Sequence, residues 1–146
     1  MQGFIIENIA NLYKIESKED NKKEIYEAYA RGKFKKDEIT PVVGDFVKFE
    51  ITDEKNKKAV INEIIDRKVY IKRPKIANIT QLILVISSKK PKPDLLMLDK
   101  QLAFAEWLKI KAVIVLNKID LDSKKEFEKI KQTYEEIGYT VIETRS

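Results

Sequence analysis

Asn117, Lys118 and Asp120 stand directly after a short apolar run, Ala112-Val113-Ile114-Val115-Leu116. Their types suit the recognition of a planar heterocycle that presents two adjacent N–H donors. A single carboxylate, here Asp120, can accept both donors in a bidentate pair, and guanine offers such a pair at N1–H and its exocyclic amine. Adenine has no matching donor pair on that edge and would leave the carboxylate desolvated and unpaired. Asn117 can donate an amide N–H to a base acceptor and also brace its own loop. The aliphatic stem of Lys118 can lie over a purine face while its ammonium stays in water. The competing reading is a polar strand-to-helix turn, with Asp120 or Asp122 near the N-terminus of the next helix.

The elements around these residues put them where a ligand would bind, while the turn reading stays open. The run 112–116 suits a strand buried on both faces of a parallel sheet. The C-terminal end of such a strand is where open α/β sheets bind ligands. Upstream, 79–87 reads as a strand with the near-continuous core Leu82-Ile83-Leu84-Val85-Ile86. Asp94 is an N-cap for a helix over 95–110, whose apolar face takes Leu96, Leu98, Leu102, Ala103, Ala105 and Leu108. Trp107 reads as packing core of that helix. Downstream, Asp122 or Ser123 caps a helix to residue 137, Gly138 suits its C-terminus, and 139–143 is a further strand. Strand–helix–strand–helix–strand predicts a parallel sheet with right-handed crossovers. In that setting N-K-x-D is the guanine-reading motif of GTP-binding proteins.

Residues 1–72 have a different pattern. Segments 4–15, 24–31, 46–51, 59–65 and 69–71 read as short strands. In 24–31, Ile25 and Glu27 lie on one side and Tyr26, Ala28 and Ala30 on the other. In 46–51, Phe46, Lys48 and Glu50 alternate with Val47, Phe49 and Ile51. Residues 17–23 and 52–58 are charged connections. Five closely spaced strands with no long helix predict a small closed barrel, an OB-fold, with a small sandwich as the alternative. The fold class is therefore an all-β barrel followed by an α/β part, divided at 72/73.

Composition narrows the chemistry. The chain of 146 residues has no cysteine and no histidine, which removes disulfides, thiolate metal sites, ordinary zinc sites and Ser-His-Asp catalysis. Absent cysteine fits a reducing, cytoplasmic setting. The N-terminus lacks the basic and apolar regions of a signal peptide, and no apolar run approaches membrane-spanning length, so no membrane partner is expected. The net charge is +5, but from Arg67 to Pro93 the cations Arg67, Lys68, Lys72, Arg73, Lys75, Lys89, Lys90 and Lys92 face no acidic residue in sequence. A one-signed stretch can attract phosphates. Arg31, Lys33, Lys35 and Lys36 are further candidates for RNA phosphates, with Phe34 either a base-stacking ring or core.

Five segments in order carry a family resemblance: Tyr29-Ala30-Arg31-Gly32-Lys33-Phe34, Val43-Gly44-Asp45-Phe46-Val47, Ile71-Lys72-Arg73-Pro74, Ala77-Asn78-Ile79-Thr80-Gln81 and Asn117-Lys118-Ile119-Asp120-Leu121. Together the chain resembles the N-terminal part of ribosome small-subunit-dependent GTPase A, the YjeQ/RsgA family. The resemblance implies an OB-fold RNA- and ribosome-binding domain over 1–72 and the first part of a circularly permuted GTPase domain over 73–146. It implies GTP hydrolysis to GDP and phosphate with Mg²⁺, stimulated by the small ribosomal subunit, and a role in late maturation of that subunit. It also implies contact of the OB domain with ribosomal RNA and a zinc-binding C-terminal domain. The family's guanine contacts would fall on Asn117, Lys118 and Asp120, and its second base-contacting loop on Thr144, Arg145 and Ser146. Arg145 departs from the small residue usual at its place.

No glycine in the chain begins G-x-x-x-x-G-K-[ST], so the phosphate-binding loop and its Mg²⁺-binding Ser/Thr are not in this sequence. No catalytic or metal-binding residue is therefore assigned within it. The expectation is an N-terminal portion, monomeric, cytoplasmic and inactive by itself. The alternative is an OB-fold RNA-binding module that uses no nucleotide.

Overall fold

The computed structural model of the chain describes residues 1–19, 21–36, 39–87, 94–117 and 126–145, with the side chains of residues 35 and 36 left aside. The chain forms two compact units, Met1–Ile79 and Thr80–Ser146. Among the described residues no helix is long and apolar enough to cross a membrane.

The first unit is a closed five-stranded barrel. Its strands are β1 (Gln2–Ile9), β2 (Leu12–Glu19), β3 (Lys22–Ala30), β4 (Phe46–Asp53) and β5 (Lys58–Ile64), in the order β1-β2-β3-β5-β4 with β4 closing on β1. All pairs are antiparallel except β3 with β5. This order is that of an OB-fold. Alternation places Tyr13 and Ile15, Tyr26 and Ala28, Val47 and Phe49, and Ala59 and Ile61 in the interior. Each large apolar side chain buried there stabilises the barrel by roughly 1.5–3 kcal/mol. Register shifts in β1–β2 and β4–β5 are bulges that bend the strands into closure.

Two strand assignments from sequence change. Segment 4–15 is not one strand but a hairpin, turning at Ala10 and Asn11, whose φ values are +50° and +65°. These conformations are those of a type I′ turn, and the Asn11 N–H donates to Asn8 Oδ1 at 3.1 Å, which supports it. Strand β2 then runs on through residues 17–19. Segment 69–71 is not a barrel strand. It lies in a hairpin of β6 (Tyr70–Lys72) and β7 (Lys75–Ala77).

That hairpin is tied to the barrel. Asp45, fully buried, accepts the Val42 N–H at 2.8 Å, Arg67 Nε–H at 2.8 Å on Oδ1 and Arg67 Nη2–H at 2.8 Å on Oδ2. The hydrogen bond to Asp45 pushes the Arg67 guanidinium above its ordinary value. The same guanidinium lies 4.5 Å from the Tyr70 ring centroid. Asn78 accepts the Lys68 N–H at 2.8 Å and donates to Gly44 O at 3.0 Å, and the Ala77 N–H donates to Val43 O at 2.9 Å. Gly44 has φ +96°, and a Cβ built there would lie 1.8 Å from Ala77 O. Only glycine allows this approach of the two backbones.

Between β3 and β4 lies the short helix α1 (Lys33–Lys36). Phe34 points from it into the barrel core and is 7% exposed.

The second unit is a three-stranded parallel sheet with two helices. Its elements are β8 (Gln81–Ser87), α2 (Leu95–Trp107), β9 (Lys111–Asn117), α3 (Glu126–Ile137) and β10 (Thr140–Glu143), with sheet order β10-β9-β8. Asp94 caps α2 by accepting the Met97 N–H at 3.0 Å. The predicted caps of α3, Asp122 and Ser123, lie outside the described residues. Both helices pack on one sheet face, where Leu98, Leu102 and Ala105 of α2 and Phe127, Ile130 and Tyr134 of α3 meet Leu84, Ile114, Leu116 and Val141. Burial and a 2.6 Å hydrogen bond to Asp99 push the Tyr134 hydroxyl up to about 12.

Two expectations for this unit fail. β9 is buried nearly throughout, but on β8 only Leu84 is fully buried, and Ile83 and Val85 are 59% and 63% exposed. Both crossovers put their helices on the same side, so the opposite face of the edge strand stays open. Trp107 is 76% exposed, stacked on Phe104, rather than core. It lies two residues, about 200° of helix rotation, past the buried Ala105. Leu96 is likewise exposed, so the buried stripe of α2 is narrower than its apolar content.

Candidate nucleotide-base site

Asn117 is the last residue of β9 and Thr144 follows β10 directly. The two strands are parallel neighbours, in a register that ends with Glu143 opposite Leu116. One step further along each strand, Thr144 stands beside Asn117. Its N–H donates to Leu116 O at 2.8 Å, and its hydroxyl donates to Asn117 Oδ1 at 2.9 Å. Two loops that are distant in sequence thus begin side by side at the C-terminal edge of the sheet, joined by a side-chain hydrogen bond. With Oδ1 engaged, Asn117 keeps its NH₂ group to donate to a ligand.

Lys118, Asp120 and Ser146 lie outside the described residues. Arg145 is exposed. The structure therefore brings together Asn117 and Thr144 of the expected site. Sequence reasoning placed Thr144 on a second base-contacting loop but missed its bond to Asn117. The signal was available only through strand pairing, because no local spacing relates residues 117 and 144.

The barrel candidates divide. Arg31 pairs with Glu50 at 2.9 Å, so its charge is locally neutralised. Lys33 is exposed, with its ammonium 5.5 Å from the Phe34 ring centroid. Phe34 is core, and a ring so buried has no face to offer a base. The side chains of Lys35 and Lys36 lie outside the description. Among the described residues no group of three acidic side chains converges, so none is assigned to Mg²⁺ or zinc.

Comparison with known proteins is consistent with both units. The RsgA N-terminal domain model matches residues 2–61, and the RsgA GTPase model matches residues 64–146. A small ribosomal subunit biogenesis GTPase RsgA of Alkaliphilus metalliredigens is 42% identical over 143 residues, which cover 98% of this chain and 48% of that protein. The protein of the same name from Clostridium botulinum strain Hall is 41% identical over 142 residues, 97% of this chain and 47% of its own length. The crystal structure of YloQ, a circularly permuted GTPase, superposes with a TM-score of 0.82 at 31% identity, covering 99% of this chain and 51% of that one. YjeQ from Thermotoga maritima gives 0.81 at 29% identity, with the same coverage. The chain spans about half the length of the curated relatives it matches. With one model on the barrel and the other reaching from its last strand to the end of the parallel sheet, the chain belongs to the RsgA GTPase family.

Proposed function

We propose that this chain is the barrel and guanine-reading part of a ribosome-associated GTPase, which as the intact protein hydrolyses GTP to GDP and phosphate and assists late maturation of the small ribosomal subunit. In this reading residues 1–72 serve RNA and ribosome binding, and residues 73–146 open the GTPase domain. Asp120 accepts guanine N1–H and the exocyclic amine, Asn117 donates to a base acceptor, and Lys118 lies over the purine. Thr144, Arg145 and Ser146 form the second loop at the base, with Thr144 orienting Asn117. GTP binds with Mg²⁺, zinc belongs to a C-terminal domain, and the protein works as a cytoplasmic monomer. The observation that carries the base site is the hydrogen bond joining Asn117 to Thr144 at adjacent strand ends. The names of the relatives support the ribosomal role. The match of the GTPase model over 64–146 speaks against a module that uses no nucleotide.

The test is Asp120→Asn in the longer protein that carries a phosphate-binding loop. GDP affinity falls by about 1–3 kcal/mol, the value of a good bidentate base contact. Preference shifts toward xanthosine diphosphate, whose carbonyl replaces the guanine amine. Unchanged guanine preference would remove the tetrad from the site. Residues 1–146 alone should hydrolyse no GTP and bind GDP feebly, because their sequence lacks the backbone cradle and lysine for the phosphates. Tight GDP binding in titration calorimetry on this chain would overturn that.

A further inference from the structure

Among the described side chains, most basic residues of the barrel are paired with an acid, Lys18, Lys22, Lys33 and Lys55 being the exceptions, whereas none of those at one hairpin tip is. On the barrel wall, Lys14 pairs with Glu7 at 2.7 Å, Arg31 with Glu50 at 2.9 Å, Lys48 with Glu63 at 3.3 Å and Lys57 with Glu24 at 3.0 Å. Exposed pairs of this kind add little stability, but they cancel charge locally. At the tip of the β6–β7 hairpin, Lys72, Arg73 and Lys75 are all exposed, and none has an ion pair among the described residues. Lys72 and Lys75 stand directly opposite each other in the ladder, with Arg73 and Pro74 as the turn. Like charges so placed destabilise a hairpin. The base of this hairpin, by contrast, is fixed by buried Asp45, by Arg67 and Asn78, and by the Gly44–Ala77 approach. Three unneutralised cations are thus held together on a rigid support, and little ordering remains to be done when a partner arrives.

We infer that the β6–β7 tip is a contact for the phosphate backbone of RNA, with Lys72, Arg73 and Lys75 as the phosphate-binding cations. The inference rests on the reading of the barrel unit as the RNA-facing part of the protein, and extends it past residue 72 to Arg73 and Lys75, which belong to the unit Met1–Ile79. The tip's only apolar residue is Pro74, so it has no large wedge for a lipid surface. Lys75 also lines a cleft of about 190 Å³ with the polar Asn8, Asn11 and Thr40 and the apolar Pro41, Val42 and Val43. The uncharged polar side chains suit the phosphate and sugar oxygens beside a phosphate contact.

The experiment compares the 146-residue chain with its Lys72→Gln/Arg73→Gln/Lys75→Gln variant. Binding to small ribosomal subunits and to an unrelated duplex RNA is measured by fluorescence anisotropy over a salt series. Each lost phosphate contact makes the log–log salt slope shallower by about 0.7–0.9, so the variant, lacking three, should lose about 2.1–2.7 units of slope. Its affinity should fall at low salt for both RNAs, and its melting temperature should stay the same or rise, because the Lys72–Lys75 repulsion is gone. Equal affinity and slope in the two proteins would overturn the inference, as would failure of the unmodified chain to bind any RNA. If the unmodified chain binds duplex RNA as tightly as the subunit, the ribosomal reading fails, while the slope difference still decides the role of the tip. Vesicles of phosphatidylserine and phosphatidylcholine form the last arm. Loss of vesicle binding in the variant, with RNA binding unchanged, would assign the tip to anionic lipid instead.

Discussion

Asn117 and Thr144 each lie one residue past the last paired position of neighbouring parallel strands, and the threonine hydroxyl meets the asparagine carbonyl oxygen at 2.9 Å. This bond selects which end of the amide is free. Thr144→Val keeps the side-chain shape and removes the donor. In the longer protein, GDP affinity should fall by about 1 kcal/mol, the ordinary net value of a hydrogen bond. The variant's melting temperature should fall slightly, as for any lost hydrogen bond, so the affinities are compared well below the transition. Calorimetric titration with GDP reads the effect, and an unchanged Kd would mean that Asn117 needs no brace.

Gly44→Ala tests the clamp between hairpin and barrel. The added methyl would meet the Ala77 carbonyl, in a backbone conformation that also disfavours L side chains. Urea denaturation should show a loss of at least about 2 kcal/mol, within the range for strain combined with overpacking. A variant as stable as the parent would show that the two backbones can separate cheaply.

Phe34 and Lys33 are adjacent in sequence but should behave differently. Phe34→Ala empties a core position and should cost about 3–5 kcal/mol, as large-to-small core changes do. Lys33→Gln should leave stability within about 0.5 kcal/mol. Equal melting temperatures for the two variants would place Phe34 outside the core.

Tyr134 predicts a pH dependence for the second unit. Its hydroxyl titrates near 10.0 when unperturbed and is pushed up to about 12 in the fold, first by burial and then by its bond to Asp99. Since the folded value is the higher one, the neutral phenol favours the fold fully below pH 10. That contribution is lost as the pH rises from 10 toward 12. Tyr134→Phe should cost about 1 kcal/mol at pH 7 through the lost hydrogen bond. The gap between the two proteins should then close over this alkaline range. A gap that stays constant from pH 7 to pH 12 would mean that the phenol titrates alike in both states.

The alternation of Tyr26 and Ala28 with Ile25 and Glu27, and of Val47 and Phe49 with Phe46 and Lys48, made the barrel legible, because a half-buried strand repeats every two residues. The turn at Ala10 and Asn11 escaped because it uses left-handed conformations without a glycine to mark them. Segment 69–71 has strand composition, but it pairs with the neighbouring 75–77 in a local hairpin rather than with a barrel strand, and composition does not encode the partner. On α2, apolar residues occur around much of the helix, so Trp107 and Leu96 look like core until the packed stripe of Leu98, Leu102 and Ala105 is known. At the candidate base site, the residue types at 117–120 point to guanine because each carries its own chemistry, while Lys118 and Asp120 lie outside the described residues. The link between Asn117 and Thr144 depends on which strands are neighbours, and that emerges only from the assembled sheet.

The open side of β8 has a practical consequence. Among the described residues no strand pairs with its outer edge, and the exposed Ile83 and Val85 lie along the same segment. Backbone groups unpaired with another strand, beside apolar, β-branched side chains, form a template on which another copy can lay a strand. Concentrated samples of this chain should therefore self-associate reversibly through that edge, and a charge placed at Val85 should restore their solubility before it changes anything about nucleotide or RNA.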